Sequence, residues 1–437
     1  MLSNNASLVY GILINAGPRT VAELKARTGL SQPVLSRVLN DIAQHNGRLL
    51  TQRQGRSILY AISRAIRSLP LALAIYQVER NGGTAQLGSL IALEGRGYVF
   101  VAANGRSELF AGLPWFLQDM RPQGYIGRAF RDAYAQDLGL SNNLALWSDD
   151  DVIYALSQFG EDAPGNLIIG DHALRRFLAA DVSTHLPLHS QAEHYDRMAE
   201  LAVQGVAPGS SAGGEHPKFL LHDGTSAAIV KFSPLLDGSA AATRWKDLLI
   251  AEHLASQALK KCGIAVPDTR IVLSEKRCYL QSARFDRVGA KGRIAAASFD
   301  AIDNGFIGAH QNWSASAGKL RALGLITAEC EAQVKLVEWF GRCIANTDMH
   351  FGNLSFLWNK ADEHIQLNLA PIYDMLPMLY APEKSEVVTR SFVVPQGGGM
   401  ALAKDAALAF WQELAANPAV SDLFRSIAAE NSKLLGK

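Results

Sequence analysis

Apolar residues recur at helical spacing through much of this chain, and the places where the spacing changes mark its parts. Over Asn4 to Ala16, Leu8, Val9, Ile12 and Leu13 fall on one helical face, and Gly17-Pro18 ends the pattern. Thr20 and Glu23 then have the spacing of a capping box, at the head of a short helix through Arg27. After Gly29, Ser31 and Pro33 open a second helix, Gln32 to His45, with Val34, Leu35, Val38, Leu39 and Ile42 turned inward. Two short strands, Leu49 to Gln52 and Ile58 to Ile62, flank the turn Arg53-Gln54-Gly55-Arg56. A helix, a helix-turn-helix and a basic hairpin predict a winged helix-turn-helix over residues 1–68.

Residues 69–200 carry a weaker pattern. Leu90 to Val101 and Glu108 to Phe110 predict strands, and a helix is expected from near Gly127 to Gln136. Asp149-Asp150-Asp151 opens another helix, where acidic residues suit the cap and the positive end of the helix dipole. From Gly205 a Gly/Ser-rich loop runs into a strand at Pro217 to Leu221, and Ala227 to Phe232 returns beside it. In the helix Arg244 to Leu259, Glu252 shares the apolar face of Trp245, Leu248, Leu249, Ala255 and Leu259. A buried carboxylate needs a cation, and Lys231 is the expected one unless Glu252 sits at the edge and reaches water. Strands at Arg270–Leu273 and Arg277–Ala283 come next. Ser298 to Lys319 has no clear period and is expected to be a substrate-facing or mobile segment, and Ala401 to Leu435 predicts helical cover.

Composition adds little until charge is mapped. The 437 residues, 48% hydrophobic and 19% charged, suffice for two or three units with their own cores. No apolar run suits a bilayer span, and Met1-Leu2-Ser3-Asn4-Asn5 does not open a secretory signal, so a cytoplasmic protein with no membrane partner is expected. Cys262, Cys278, Cys330 and Cys343 have no CxxC spacing, which speaks against a zinc site. The net charge is +1, yet residues 1–70 alone carry +7, leaving −6 for the rest. That asymmetry points to duplex DNA for the first unit, with Gln32, Ser36 and Arg37 toward base edges and Arg53 and Arg56 toward phosphate. Protein contact is the other use such a unit has.

The chemistry gathers in one stretch. A helix from Cys330 to Ala345 feeds Asn346-Thr347-Asp348-Met349-His350-Phe351-Gly352-Asn353, and an alternating strand, Leu354, Phe356, Trp358, leaves it. The Asp348-to-Asn353 spacing is that of phosphoryl-transfer loops, in which the Asp orients the attacking hydroxyl and the Asn holds Mg²⁺. A second strand, Ile365 to Leu369, leads to Tyr373-Asp374, where Asp374 would be the other metal ligand. Upstream, the loop amides at Ser211, Ala212, Gly213 and Gly214, with Lys218 and Lys231 on adjoining strands, suit the phosphates of ATP. It is not a Walker loop, since no Gly-Lys-Ser/Thr comes after it.

With Asn346-Thr347-Asp348-Met349-His350, Asn353, Tyr373-Asp374 and Ala283-Arg284-Phe285-Asp286-Arg287, the chain resembles the HipA family of serine/threonine kinase toxins. It is most similar to the YjjJ-like members, which carry their own DNA-binding unit. The resemblance implies an α+β chain: the winged helix-turn-helix, a HipA-like subdomain over 69–200, and a two-lobed kinase-like domain over 201–437. Its N-lobe would span about 201–287 and its largely helical C-lobe about 288–437. It further implies adenine contacts at Ala283, Arg284 and Phe285, ATP and Mg²⁺ as cofactors, a protein substrate, an antitoxin partner, and autophosphorylation at Ser210 or Ser211. His350 would brace the loop or a phosphate oxygen. A small-molecule phosphotransferase would use the same Asp348, Asn353 and Asp374, and a nucleotide-sensing repressor would need no turnover.

Overall fold

In the computed structural model, residues 2–54, 57–95, 97–180, 191–204, 216–222, 226–361, 364–397 and 401–437 are described. Arg56 and the loop residues Ser210, Ser211, Ala212, Gly213 and Gly214 lie outside them.

The first unit has helices Asn4–Ala16, Val21–Thr28 and Gln32–Asn46, then strands Leu49–Gln54 and Ser57–Ile62. Thr20 and Glu23 cap the second helix reciprocally, and Gly29 and Gly47 end the second and third in the left-handed conformation. Strand Arg19–Thr20 joins the edge of the hairpin, making a three-stranded sheet. Val9, Leu13, Leu24, Leu35, Val38 and Ile42 form the core, while Gln32, Ser36, Arg37 and Arg53 are exposed. The unit packs closely against the middle segment of the chain. Gly95 lies so near Gly17 that a Cβ there would meet its backbone nitrogen at 2.3 Å.

The middle segment is a five-stranded antiparallel sheet, in the order Ser107–Phe110, Tyr98–Ala102, Thr84–Ala92, Leu73–Val78, Leu167–Ile169. Leu90 to Val101 is thus two strands and a turn. Helix Gly124–Tyr134 begins three residues before the expected start, and helix Asp149–Phe159 packs across the sheet core. Dipole complementation is only part of what the acidic triplet does. Asp151 completes a capping box with Ser148, and Asp149, Asp150 and Asp151 pair with Arg121, Arg64 and Arg67.

Beyond helix Gln191–Gln204 comes a four-stranded sheet, in the order Thr269–Leu273, Cys278–Ala283, Ala227–Phe232, Lys218–His222. Strand alternation gives its two faces different neighbours. Phe219, Val230, Phe232 and Tyr279 bury themselves under Tyr195 and Ala199 of that helix. Lys218, Leu220, Ile229 and Lys231 line a cleft on the other face. The long helix Ala240–Lys261 packs beside the sheet and joins the large core of the helical part, which includes Ala328–Cys343, Ala401–Ala416 and Asp422–Gly436. Ser298 to Lys319 is not the irregular segment that its sequence suggests. It forms helices Phe299–Phe306 and Trp313–Ala322, with Phe299, Ile302, Trp313 and Ala317 buried.

Candidate active site

Two short chain segments meet at the lower wall of the cleft, and polar side chains fix how they meet. Helix Ala328–Cys343 ends, Ala345 turns at φ 60°, and Asn346 is buried at 6% exposure. Asn346 Oδ1 accepts from Asp348 N at 3.0 Å, while its Nδ2 donates to Asp374 O at 3.4 Å. Asn353 Nδ2 donates to the Asp348 carbonyl at 2.8 Å, closing the loop on itself. Tyr373 Oη donates to Gly352 O at 2.9 Å and lies 2.7 Å from Ser355 Oγ. The loop and the Tyr373-Asp374 segment are therefore one rigid unit, on which Asp374 holds a left-handed φ of 55°. His350 Nδ1 accepts from Gly352 N at 3.0 Å, and its Nε2 lies 3.9 Å from Asp348 Oδ1. Asp348 itself is exposed.

Above this, Lys231 stands between two carboxylates. Its Nζ lies 2.6 Å from Glu252 Oε1 and also pairs with Asp374. Burial alone would lower the ammonium's pKa, but Asp374 and Glu252 together hold it above the ordinary lysine value. Burial would likewise raise Asp374, yet Lys231, then Lys218, bring its carboxyl below the usual range. Glu252 goes the other way: burial keeps its carboxyl raised despite Lys231.

The cleft has a volume of about 340 Å³. Of the residues singled out from sequence, Lys218, Lys231, Ala283, Arg284, Phe285, Tyr373 and Asp374 line it. Asp348, His350 and Asn353 are held beside it through Gly352 and Tyr373. Phe285 stacks on Tyr373, their ring centres 5.8 Å apart. The Arg284 guanidinium is turned to the protein, 2.9 Å from Asp286, and the residue's backbone N–H donates to Ala227 O at 2.8 Å.

Other wall residues come from the middle segment. Asp119, Gln123, Ile126, Asp162 and Gly165 line the same cleft. Asp119 accepts from the Ser298 amide and hydroxyl, and burial raises its carboxyl despite those two bonds. Asp286 accepts from Gly165 N at 3.0 Å, and Arg287 pairs with Asp162 at 2.9 Å. Burial opposes the charge on Asp286, but Arg284 and Arg287 overcome it and hold the carboxyl far below its ordinary value. No signal near Asp119 or Asp162 in the sequence marks them.

Among the described residues no group of three or more His, Cys, Asp or Glu side chains gathers as a metal site. What is present suits a hard cation that shares its shell with phosphate oxygens: the Asp374 carboxylate, and the Asn353 amide oxygen, left available because its nitrogen is the donor to Asp348. The charge on Asp374 is also met by Lys231.

Residues 210–432 match the HipA-like C-terminal domain, and residues 70–178 match the middle domain of YjjJ-like toxins. The chain belongs to the HipA-like toxin family. Within that family it is 34% identical to toxin YjjJ of Escherichia coli K12 over 96% of its own length and 95% of that protein's. HipA of Shewanella oneidensis MR-1, solved in a complex with HipB and operator DNA, shares the fold. Its TM-score is 0.54 at 14% identity, covering 83% of this chain and 95% of that one. The Helicobacter pylori proinflammatory kinase CtkA aligns at a TM-score of 0.34 and 14% identity over half of the chain, too distant to support an inference. Among the described residues no helix is long and apolar enough to cross a membrane.

Proposed function

We propose that this HipA-like chain is an ATP- and Mg²⁺-dependent serine/threonine protein kinase with a fused DNA-binding winged helix-turn-helix, acting in the cytoplasm as part of a toxin–antitoxin pair. Its parts would be residues 1–68, 69–200 and 201–437. The observation that carries the reading is Lys231, held between Glu252 and Asp374 in the wall of a cleft that Leu220, Ile229 and Ala283 to Phe285 also line. Glu252 fixes the direction of the ammonium, so that its charge faces the phosphate end of the cleft. Bound ATP and Mg²⁺ supply the transferable phosphoryl group and neutralise its charge. Asp374 and the Asn353 amide oxygen would hold the metal. Asp348, exposed beside that pair, accepts the proton of an incoming serine or threonine hydroxyl as its oxygen attacks. An exposed base suits an acceptor carried on another protein. The loop amides at Ser211 to Gly214 would cover the phosphates, and Ser210 or Ser211 would be the self-modified residue.

For DNA, the support is the +7 charge of residues 1–70 together with Gln32, Ser36 and Arg37 exposed on one helix and Arg53 on the hairpin. An antitoxin partner is proposed from family membership alone. The test is incubation of the pure chain with labelled ATP and Mg²⁺, with and without lysate. Label on serine or threonine of a protein is expected, and label on small molecules alone would overturn the protein-kinase reading.

A further inference from the structure

The cleft-facing side of the sheet changes character along its length. Leu220 pairs with Ile229, and the next pair on that face is Lys218 with Lys231. Alternation puts one more residue of the outer strand on the same face, His216. The backbone supports that position: Phe232 N donates to Pro217 O at 3.1 Å, so the two strands are still side by side there. The order along this face is therefore an apolar pair, a lysine pair, then an imidazole. It runs away from Ala283 to Phe285 and toward the end of the Gly/Ser-rich loop.

The long helix supports the same placement. Glu252 meets Lys231, and Trp245, seven residues earlier and on the same helical face, meets His216 with ring centres 4.5 Å apart. The ring is not there to satisfy the sheet. Its Nε2 is closed off from solvent and has no hydrogen-bond partner among the described residues. Such an atom costs stability unless a water, an ion or a ligand reaches it. Burial, then the charges of Lys231 and Lys218, keep the imidazole neutral, with a pKa pushed down to about 3. In its Nε2–H tautomer a neutral ring is still a donor.

We propose that His216, next after Lys218 on the lysine-bearing face of the sheet beside the cleft, is a third phosphate-binding residue, whose Nε2–H donates to an oxygen of the nucleotide's phosphate chain beyond those reached by Lys218 and Lys231. This rests on the reading of the cleft as a nucleotide site. It assigns a role to a residue that composition and spacing leave unremarked. The ligand class is a nucleoside polyphosphate, and the contact lies at its phosphate end, so a nucleoside without phosphates should not engage it.

The test measures binding of ATP and of adenosine, separately, to the full-length protein and to its His216→Ala and His216→Gln variants by calorimetry. His216→Ala should weaken ATP roughly tenfold or more, the usual effect of losing one hydrogen bond to a charged group. It should leave adenosine affinity within about twofold, below the energy of any such bond. Glutamine carries an N–H near the position of Nε2 and should recover part of the ATP affinity. Equal losses for ATP and adenosine in both variants would show that His216 only shapes the sheet, and unchanged ATP affinity would show that it touches no phosphate. Either result overturns the proposal. Failure of the unmodified protein to bind ATP or adenosine would instead refute the nucleotide cleft itself, and this inference with it.

Discussion

Replacing Lys231 by Met removes the cation between Glu252 and Asp374 while nearly keeping side-chain volume. Glu252 is 5% exposed, and its Oε2 has no partner among the described residues, so little else neutralises it. Removing one member of a buried ion pair costs roughly 3–5 kcal/mol. The lower part of that range applies here, because the Asp374 side chain keeps 27% of its exposure and can hydrate. The variant also has an escape, since Glu252 can take up a proton. Burial already holds that carboxyl above its ordinary 4.5, and loss of Lys231 raises it further. A carboxyl raised in the folded state binds more protons there than in the unfolded chain. The variant's stability therefore falls as pH rises from about the ordinary carboxylate value toward the folded one. Its deficit against the unmodified protein should be small near pH 5 and approach about 3 kcal/mol by pH 8. Urea titrations at the two pH values measure it, counting only midpoint shifts at constant slope. Lys231→Arg, which keeps the charge, should recover part of the loss. A deficit below about 1 kcal/mol, or one indifferent to pH, would refute the claim that Lys231 is what lets two carboxylates share this pocket.

Four other outcomes are expected, in two pairs. Asp374→Asn should lower Mg²⁺-dependent ATP affinity by roughly tenfold or more, since an amide replaces a charged oxygen on a hard cation, whereas Asp348→Asn should bind ATP within about twofold of normal and transfer no phosphate; calorimetry beside a labelling assay separates them, and equal loss of binding in both would undo the two roles. Arg53→Ala with Arg56→Ala should weaken duplex binding across all sequences and flatten its salt dependence by about two phosphate contacts, whereas Gln32→Ala should change sequence preference; gel-shift titrations over a salt series check both.

The features legible along the chain are mostly local ones. The capping box at Thr20 and Glu23 depends on atoms three residues apart, and it forms. The pairing of Glu252 with Lys231 reaches further, across 21 positions, and forms too, because one apolar helical face with a carboxylate in it leaves few places for the charge to go. Ser298 to Lys319 misleads for an equally local reason. Asp303 is fully buried among Phe299, Ile302 and Ser316, where it accepts from Ala309 N, His310 N and Ser316 Oγ. A polar residue facing inward breaks the hydrophobic period that would have announced two short helices.

Periodicity, caps and charge act over a turn or two of chain, so the helices and hairpin of the first unit, the strands of Lys218 and Lys231, the loop of Asp348 and Asn353, and the charge of the first unit can be read directly along the chain. Packing between distant segments puts Asp119 and Asp162 in the wall of the cleft, gives each of Asp149, Asp150 and Asp151 an arginine, and sets Trp245 against His216. The pairing of Arg287 with Asp162 joins residues 125 positions apart. Of that pair it is Arg287 that is buried, its side chain 7% exposed, while Asp162 stays at the surface. Only packing removes the water around one of them, and only then does its charge require a partner.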